Sequence, residues 1–384
     1  MKQPAVFLFF ISLFFCEHTK AQDATNDYVE QTPNSLLLGP QFKQKHNGYI
    51  LLQSSFNLMS GPEYPQGSSF SINQLRIQFN GEIIPGLEYD VRQRLNEPSP
   101  TENLDNSSLA TDWAYLTYTF QNNLFITVGK QWAAYGGFEF DATPTDIYKY
   151  SQMVWWKEAF LTGINLGYRY KEQEINFQVA NGHTATIESF YGNLPEGFTP
   201  AAHPLHYAVN WNGGLFNHLI DTRWSYAVTQ EGEEEFTQYL VLGTKLNQPF
   251  WQLSVDYHLS AEDLDRTWFA SALMPEDHAV LRDTRYQSTL ARLDVQPAER
   301  WNLFYQMAYT DTYSYDASLG ENKGWMYTSQ VQQMGVEFQP IKEQPLKLFA
   351  TYIHEKDLKS EFLNSPTAIN KNLMIGFLYK WNIY

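Results

Sequence analysis

The sequence predicts an all-β chain, a transmembrane antiparallel β-barrel of about 16 strands, and three observations carry that expectation. Short segments alternate apolar and polar residues with period two from near Gly48 to the C-terminus. Beyond the first residues, no stretch approaches the roughly 18 consecutive apolar residues of a membrane helix, and mean hydropathy is negative. The connections between segments alternate between tight turns and longer loops, as they do in barrels with two unlike ends. A soluble β-sandwich shares the first observation, so the connections decide between the two.

At the N-terminus, Lys2 followed by the apolar run Ala5 to Phe15 and the exit Thr19-Lys20-Ala21 reads as a signal peptide over residues 1–21. A polar segment, 22–47, follows and is either loose or tucked into the barrel, and 48–384 forms the barrel as one domain. The single cysteine, Cys16, lies in the leader, so the mature chain has no disulfide. A lipidated Cys16 is the alternative, against which stands the bulky Phe15 before it.

Alternation places strands near 48–59, 70–81, 86–95, 110–120, 123–130, 161–170, 174–181, 204–212, 218–228, 236–246, 249–259, 284–295, 300–312, 325–339, 345–355 and 371–383. Phe250 to Ser260 is the clearest, with Trp251, Leu253, Val255, Tyr257 and Leu259 on one face and Gln252, Ser254, Asp256 and His258 on the other. Turns such as Ile84-Pro85-Gly86, Gln121-Asn122 and Asn247-Gln248-Pro249 follow even strands, and longer loops follow odd ones. Both termini then share the short-turn, periplasmic end, and counts of fourteen and eighteen strands stay open.

Aromatic residues make up 16% of the chain, which suits interfacial girdles, and a net charge of −16 argues against nucleic acid as a partner. Parity turns Arg76, Arg92, Arg94, Arg169, Arg223, Lys245, Arg292, Lys347 and Lys380 toward the lumen, with Glu88, Asp90, Asp221, Asp256, Asp294 and Glu337. Nine basic against six acidic groups leaves the wall mildly positive, so the excess acid falls in loops and turns. These charges either form a polar path for small hydrophilic solutes, with anion preference set by the arginines, or pair with one another, Arg92 and Arg94 with Glu88 and Asp90 for instance.

The stretch Leu124-Phe125-Ile126-Thr127-Val128-Gly129-Lys130-Gln131, leading into a long loop with Trp132, Tyr135, Gly136, Gly137 and Glu139, resembles the phosphate-selective porin O/P family and its Bacteroidetes-type relatives. The strand end Gln178-Val179-Ala180-Asn181-Gly182 fits the same pattern. The resemblance implies a sixteen-stranded bacterial outer-membrane barrel, often trimeric, whose third loop folds inward to narrow the pore. It also implies Lys130 as a constriction cation, although parity gives Lys130 the lipid side of Val128 unless a bulge redirects it. Glu139 and Asp141 either oppose Lys130 across the eyelet or stay solvated. Residues 131–160 hold Glu139, Asp141, Asp146 and Glu158 against Lys149 and Lys157, so phosphate selectivity does not carry over from the family. The C-terminal apolar series Leu373, Ile375, Phe377, Tyr379, Trp381 and Ile383 is offset by one from the terminal Tyr384 of a barrel-assembly signal.

Other clusters take blander readings. The acidic runs Glu231 to Glu235 and Glu262 to Asp265 lack calcium-loop spacing and read as solvated surface. Tyr148, Tyr150, Trp155 and Trp156 either stack sugar rings or pack. There is no nucleophile elbow, zinc-protease helix or phosphate-binding glycine loop, and the histidines lack metal-ligand spacing, so neither an enzyme nor a cofactor or metal is expected. The expected function is an outer-membrane porin passing small hydrophilic solutes or ions. The alternative is a non-conducting barrel serving as a structural or assembly partner in an outer-membrane complex. Expected partners are outer-membrane lipid and lipopolysaccharide, and a homotrimer or other outer-membrane proteins.

Overall fold

A computed structural model of the chain describes residues 46–384 except 63, 65–66, 98–104, 106, 143–145, 276–277, 364–365 and 384. The leader, nearly all of the polar segment and Tyr384 lie outside the described residues. The strands are β1 (His46–Ser60), β2 (Ser68–Ile84), β3 (Leu87–Arg94), β4 (Thr111–Thr119), β5 (Leu124–Trp132), β6 (Phe160–Tyr170), β7 (Gln173–Asn181) and β8 (Leu205–Leu215). They continue as β9 (Ile220–Gln230), β10 (Phe236–Gln248), β11 (Trp251–Leu264), β12 (Arg282–Ala298), β13 (Trp301–Ser314), β14 (Gly324–Phe338), β15 (Leu346–Lys359) and β16 (Ala368–Asn382). Every strand pairs antiparallel with its sequence neighbours, and β16 returns to β1 from Tyr49↔Asn382 to Ser60↔Lys371, closing a sixteen-strand barrel. Closure satisfies each strand's backbone within the wall and leaves no free edge, the condition for a sheet to sit in hydrocarbon.

The two faces differ as the alternation requires. Phe70, Leu116, Val128, Leu166, Val209 and Ile375 stand exposed on the outer face, while Gln78, Asn176, Gln178, His258, Gln306 and Thr351 are buried on the inner one. Outward Phe120, Tyr170, Phe250 and Trp301 gather by the short turns, and Tyr207, Tyr309 and Trp325 toward the other end, as interfacial girdles do. β11 and β15 run a few residues beyond their expected ends, because sequence polarity rises before pairing stops, and β2 runs on through Glu82 to Ile84.

Short helical pieces lie in the long connections: α1 (Phe138–Asp141) and α2 (Gln152–Trp155) between β5 and β6, α3 (Ile187–Tyr191) after β7, and α4 (Phe269–Ala272) after β11. Among the described residues no helix is long and apolar enough to cross a membrane.

Candidate pore and constriction

The connection from β5 to β6 turns onto the inner face of the wall. Its first anchor is at Gly136 and Glu139, whose backbone N–H groups donate to Ser225 Oγ on β9 (3.2 Å) and Asp256 Oδ2 on β11 (2.8 Å). The Glu139 carboxylate accepts from the Ser151 N–H at 2.7 Å and from Gln306 Nε2 on β13 at 3.0 Å, which ties the two halves of the loop to each other and to the wall. Asp141 pairs with Arg223 at 2.5 Å. Further along, Asp146 pairs with Lys347 at 3.1 Å, Tyr148 donates to Glu337 at 2.7 Å, and Lys149 pairs with Glu355 at 3.2 Å.

Apolar packing reinforces these anchors. Tyr135 meets Tyr239 edge-on at 5.1 Å and Phe140 at 5.2 Å within a buried cluster that includes Met153, Val241, Tyr286 and Met326. Such ring pairs contribute about 0.5–1.5 kcal/mol beyond their area. The loop is therefore docked along β9–β15, and between its two halves burial raises the Glu139 carboxyl to about 8, despite the hydrogen bonds from Ser151 that favour its charged form.

The wall from β2 to β4 has a different chemistry. Arg76 Nη1, Arg92 Nε and Arg94 Nε converge on the buried Asp112 carboxylate at 2.5, 2.6 and 3.0 Å. Arg92 also lies 3.4 Å over the Trp113 ring. Arg94 also reaches Glu97 at 3.7 Å, so three guanidiniums face two carboxylates and one positive charge is left over. The loop presents Tyr150 to them: burial pushes its hydroxyl pKa up, and the Arg76 and Arg92 charges pull the other way.

Asp112 escaped parity for a local reason. It shares outward register with Ala114 and Leu116, but the β3–β4 pairing jumps from Arg92↔Trp113 to Gln93↔Thr111, so Asp112 is the extra residue of a bulge and turns inward. The arginines therefore bind Asp112 instead of Glu88 and Asp90; Asp90 accepts from Gln78 at 2.9 Å and the Trp113 indole at 2.7 Å.

The remaining singled-out residues sit as follows. Lys245 lies buried 4.7 Å over Phe138 of the loop, Arg292 pairs with Asp294 at 2.8 Å, and Lys380 lies 3.8 Å over Tyr49. Arg169 pairs with Glu174 at 2.7 Å and Glu88 is exposed, both near the short-turn end. Lys130 departs from the expected eyelet position: it keeps outward register between Ala114 and Thr162, with Nζ 2.8 Å from Ser107 Oγ and 3.9 Å from Asp105. No inward bulge forms at Lys130, since β5 pairs with β6 in unbroken register. Glu139 and Asp141 accordingly meet Asp256, Gln306 and Arg223 rather than opposing Lys130.

At the long-loop end the acidic runs are partly interior. Glu231 is fully buried and takes Arg266 Nη1 at 2.9 Å, His183 Nε2 at 2.5 Å and the Tyr191 hydroxyl at 2.8 Å. Arg266 Nη2 reaches Glu158 at 2.8 Å, so four connections meet on one guanidinium. Glu262 likewise holds Lys157 at 2.7 Å. The expectation of a solvated surface fails for these two carboxylates, because a sequence run does not reveal the cations that fold onto it. Among the described residues no group of three or more His, Cys, Asp or Glu side chains is placed to hold a metal ion.

A closed sixteen-strand wall whose third long loop docks on its inner face, in a chain matching the family model for phosphate-selective porin O and P over residues 49–381, decides the assignment. The chain belongs to the phosphate-selective porin O and P family. It is an outer-membrane porin. The outer-membrane channel DcaP of Acinetobacter baumannii is similar in structure, with a TM-score of 0.62 at 11% identity over 88% of this chain and 99% of that one. In-vitro folded OmpT, an outer-membrane protein of Vibrio cholerae, is similar with a TM-score of 0.58 at 10% identity over 88% and 97%. Its trimer form gives 0.53 at 10% identity over 88% and 99%. At such identities the likeness is one of fold. No curated protein matches the sequence.

Proposed function

We propose that this porin passes small hydrophilic solutes through a passage between the docked loop and the basic wall of β2–β4, with a preference for anions. The convergence of Arg76, Arg92 and Arg94 on Asp112, with only the more exposed Glu97 as a second carboxylate on Arg94, carries the reading. The excess charge faces Tyr150, while the carboxylates of the loop are bound to Arg223, Lys347 and Arg266 on other parts of the molecule. A fixed positive surface in a narrow aqueous path raises the local concentration of anions and sets ion preference. Lys380 and Asp90 serve as pore-wall charges in the same reading, while Lys245, Arg292, Lys347 and Asp256, which lie against the docked loop, act by holding it in place, and neither a cofactor nor a catalytic step enters it.

Single-channel recording in a planar bilayer under a salt gradient tests the proposal. Discrete steps with an anion-selective reversal potential support it, and cation selectivity overturns the ion preference. Silence from folded, inserted protein favours the non-conducting scaffold, for which the tightly filled β9–β15 side is the supporting observation.

We further propose a homotrimer embedded in lipid and lipopolysaccharide, supported by the fold shared with a trimer-forming barrel. Mass measurement of the detergent-solubilised protein tests it, and a monomeric particle would overturn it.

A further inference from the structure

A cavity of about 260 Å³ lies between α2, α4 and the long-loop ends of β14 and β15. That size is near the lower end of small-molecule sites, roughly 300 Å³, and suits a ligand of one or two rings. Trp155, Trp156, Phe269 and Tyr327 give it an aromatic side. Three of these rings brace one another: Trp156 packs on Phe269 at 5.5 Å, and Phe269 meets Tyr327 edge-on at 4.6 Å. Trp155 instead leaves 71% of its surface exposed.

An interfacial role does not explain Trp155. It belongs to the loop docked on the inner face, and the strand residues beside it, Tyr327, Glu355 and Asp357, are buried inner-face positions. A large indole left facing an internal aqueous space exposes apolar area that a ligand can cover.

The polar side of the cavity has a balanced charge. Lys149 and Lys359 supply two cations and Glu355 and Asp357 two carboxylates, with Lys149 3.2 Å from Glu355 and Asp357 accepting the Tyr327 hydroxyl. The arginine cluster differs, since three cations there face the two carboxylates of Asp112 and Glu97 and keep a net positive charge. A balanced set of donors and acceptors gives an anion no net attraction. It matches a neutral molecule with several hydroxyl groups, each able to donate to a carboxylate and accept from an ammonium. A flat aromatic plate beside such a set matches the apolar C–H face of a sugar ring.

From this juxtaposition we infer that the cavity is a binding site for a neutral pyranose sugar, stacked on Trp155 and hydrogen-bonded to Glu355, Asp357 and the two lysines, ahead of the constriction. The inference rests on the pore reading for its place in transport, but the binding site can be tested without conduction.

Two measurements on the full-length protein in detergent separate the questions, with maltose and maltotriose as probes. Intrinsic tryptophan fluorescence is expected to titrate saturably with maltose, and Trp155→Ala to weaken the apparent affinity roughly tenfold or more. Because Trp155 is exposed, its replacement leaves the packed rings in place. Asp357→Asn is expected to weaken binding while retaining the fold, judged by heat-resistant migration. In the bilayer, the sugars are expected to interrupt the ion current in proportion to occupancy, and inorganic phosphate not to compete for this site. A conducting channel with neither fluorescence response nor sugar block overturns the sugar site and leaves the pore reading standing. Saturable binding without conduction supports the site and overturns the pore reading. Phosphate competition at the Trp155-dependent site overturns the assignment to a neutral ligand.

Discussion

The Asp256 carboxylate accepts the backbone N–H of Glu139 at 2.8 Å, a contact between a wall strand and a loop residue 117 positions away in sequence. Gly137 permits it: a Cβ built there would lie 2.4 Å from the Asp256 carboxyl carbon. The loop can approach the wall this closely only without a side chain at that point. Gly137→Val is therefore expected to lift the first half of the loop, at a cost of about 1–3 kcal/mol in overpacking. Single-channel recording should show larger or noisier conductance, and the folded barrel should lose heat resistance. Unchanged conductance would argue that this contact does not control the passage.

The Glu139 carboxyl gives the docked loop a pH dependence. Burial raises it from 4.5 to about 8, so the folded protein retains a proton that the unfolded chain has released. For an acid shifted upward, stability falls as pH rises between about 4.5 and about 8 and changes little beyond. Glu139→Gln keeps the shape and removes the titration. Thermal unfolding across that range should decline less steeply for the variant than for the parent. Equal slopes would remove Glu139 as the source.

Asp112 sets how much of the arginine charge the passage feels. Asp112→Asn preserves size and removes the negative charge shared by Arg76, Arg92 and Arg94. The reversal potential in a salt gradient should move further toward anions. Replacing Arg92 and Arg94 together by alanine should move it toward cations. Opposite shifts, or none, would place the selective region elsewhere.

Much of the architecture was legible because lipid on one side and water on the other impose period two on nearly every strand. The same rule puts Arg76, Arg223, Arg292 and Lys347 on the inner face, where their side chains meet Asp112, Asp141, Asp294 and Glu337. Parity fails where the backbone leaves the two-residue repeat, and Asp112 is hidden by a single bulged residue. At Lys130 the motif suggested one direction and unbroken pairing with β6 keeps the other. Cavity and loop contacts are least legible, since Trp155 with Asp357, or Glu231 with Arg266, are joined only by the closure of the barrel.

The meeting of four connections at Arg266 yields the strongest stability prediction. The carboxylates of the buried Glu231 and the half-buried Glu158 face the Arg266 guanidinium and the His183 imidazole. Burial and Arg266 lower the His183 pKa, but the carboxylates outweigh them and its net shift is upward. Glu231 moves down to about 2: burial opposes the shift, while His183 and Arg266 drive it. The histidine contribution is full below its ordinary pKa and lost as pH rises through the raised one; the Glu231 contribution is full above the ordinary carboxylate range and lost as pH falls toward about 2. The junction therefore holds best at mildly acidic pH. Arg266→Ala removes the guanidinium shared by Glu158 and Glu231 and leaves them His183 with the Thr184 and Tyr191 hydrogen bonds, and breaking such a cluster costs about 3–5 kcal/mol. Limited proteolysis should then cut within 182–204 or 265–281 faster than in the parent. His183→Gln should be milder and should flatten the rise in cleavage from mildly acidic to alkaline pH. Protease resistance equal to the parent in both variants would show that the loops are held by their apolar contacts, Tyr191 and Leu264 among them, rather than by this charge network.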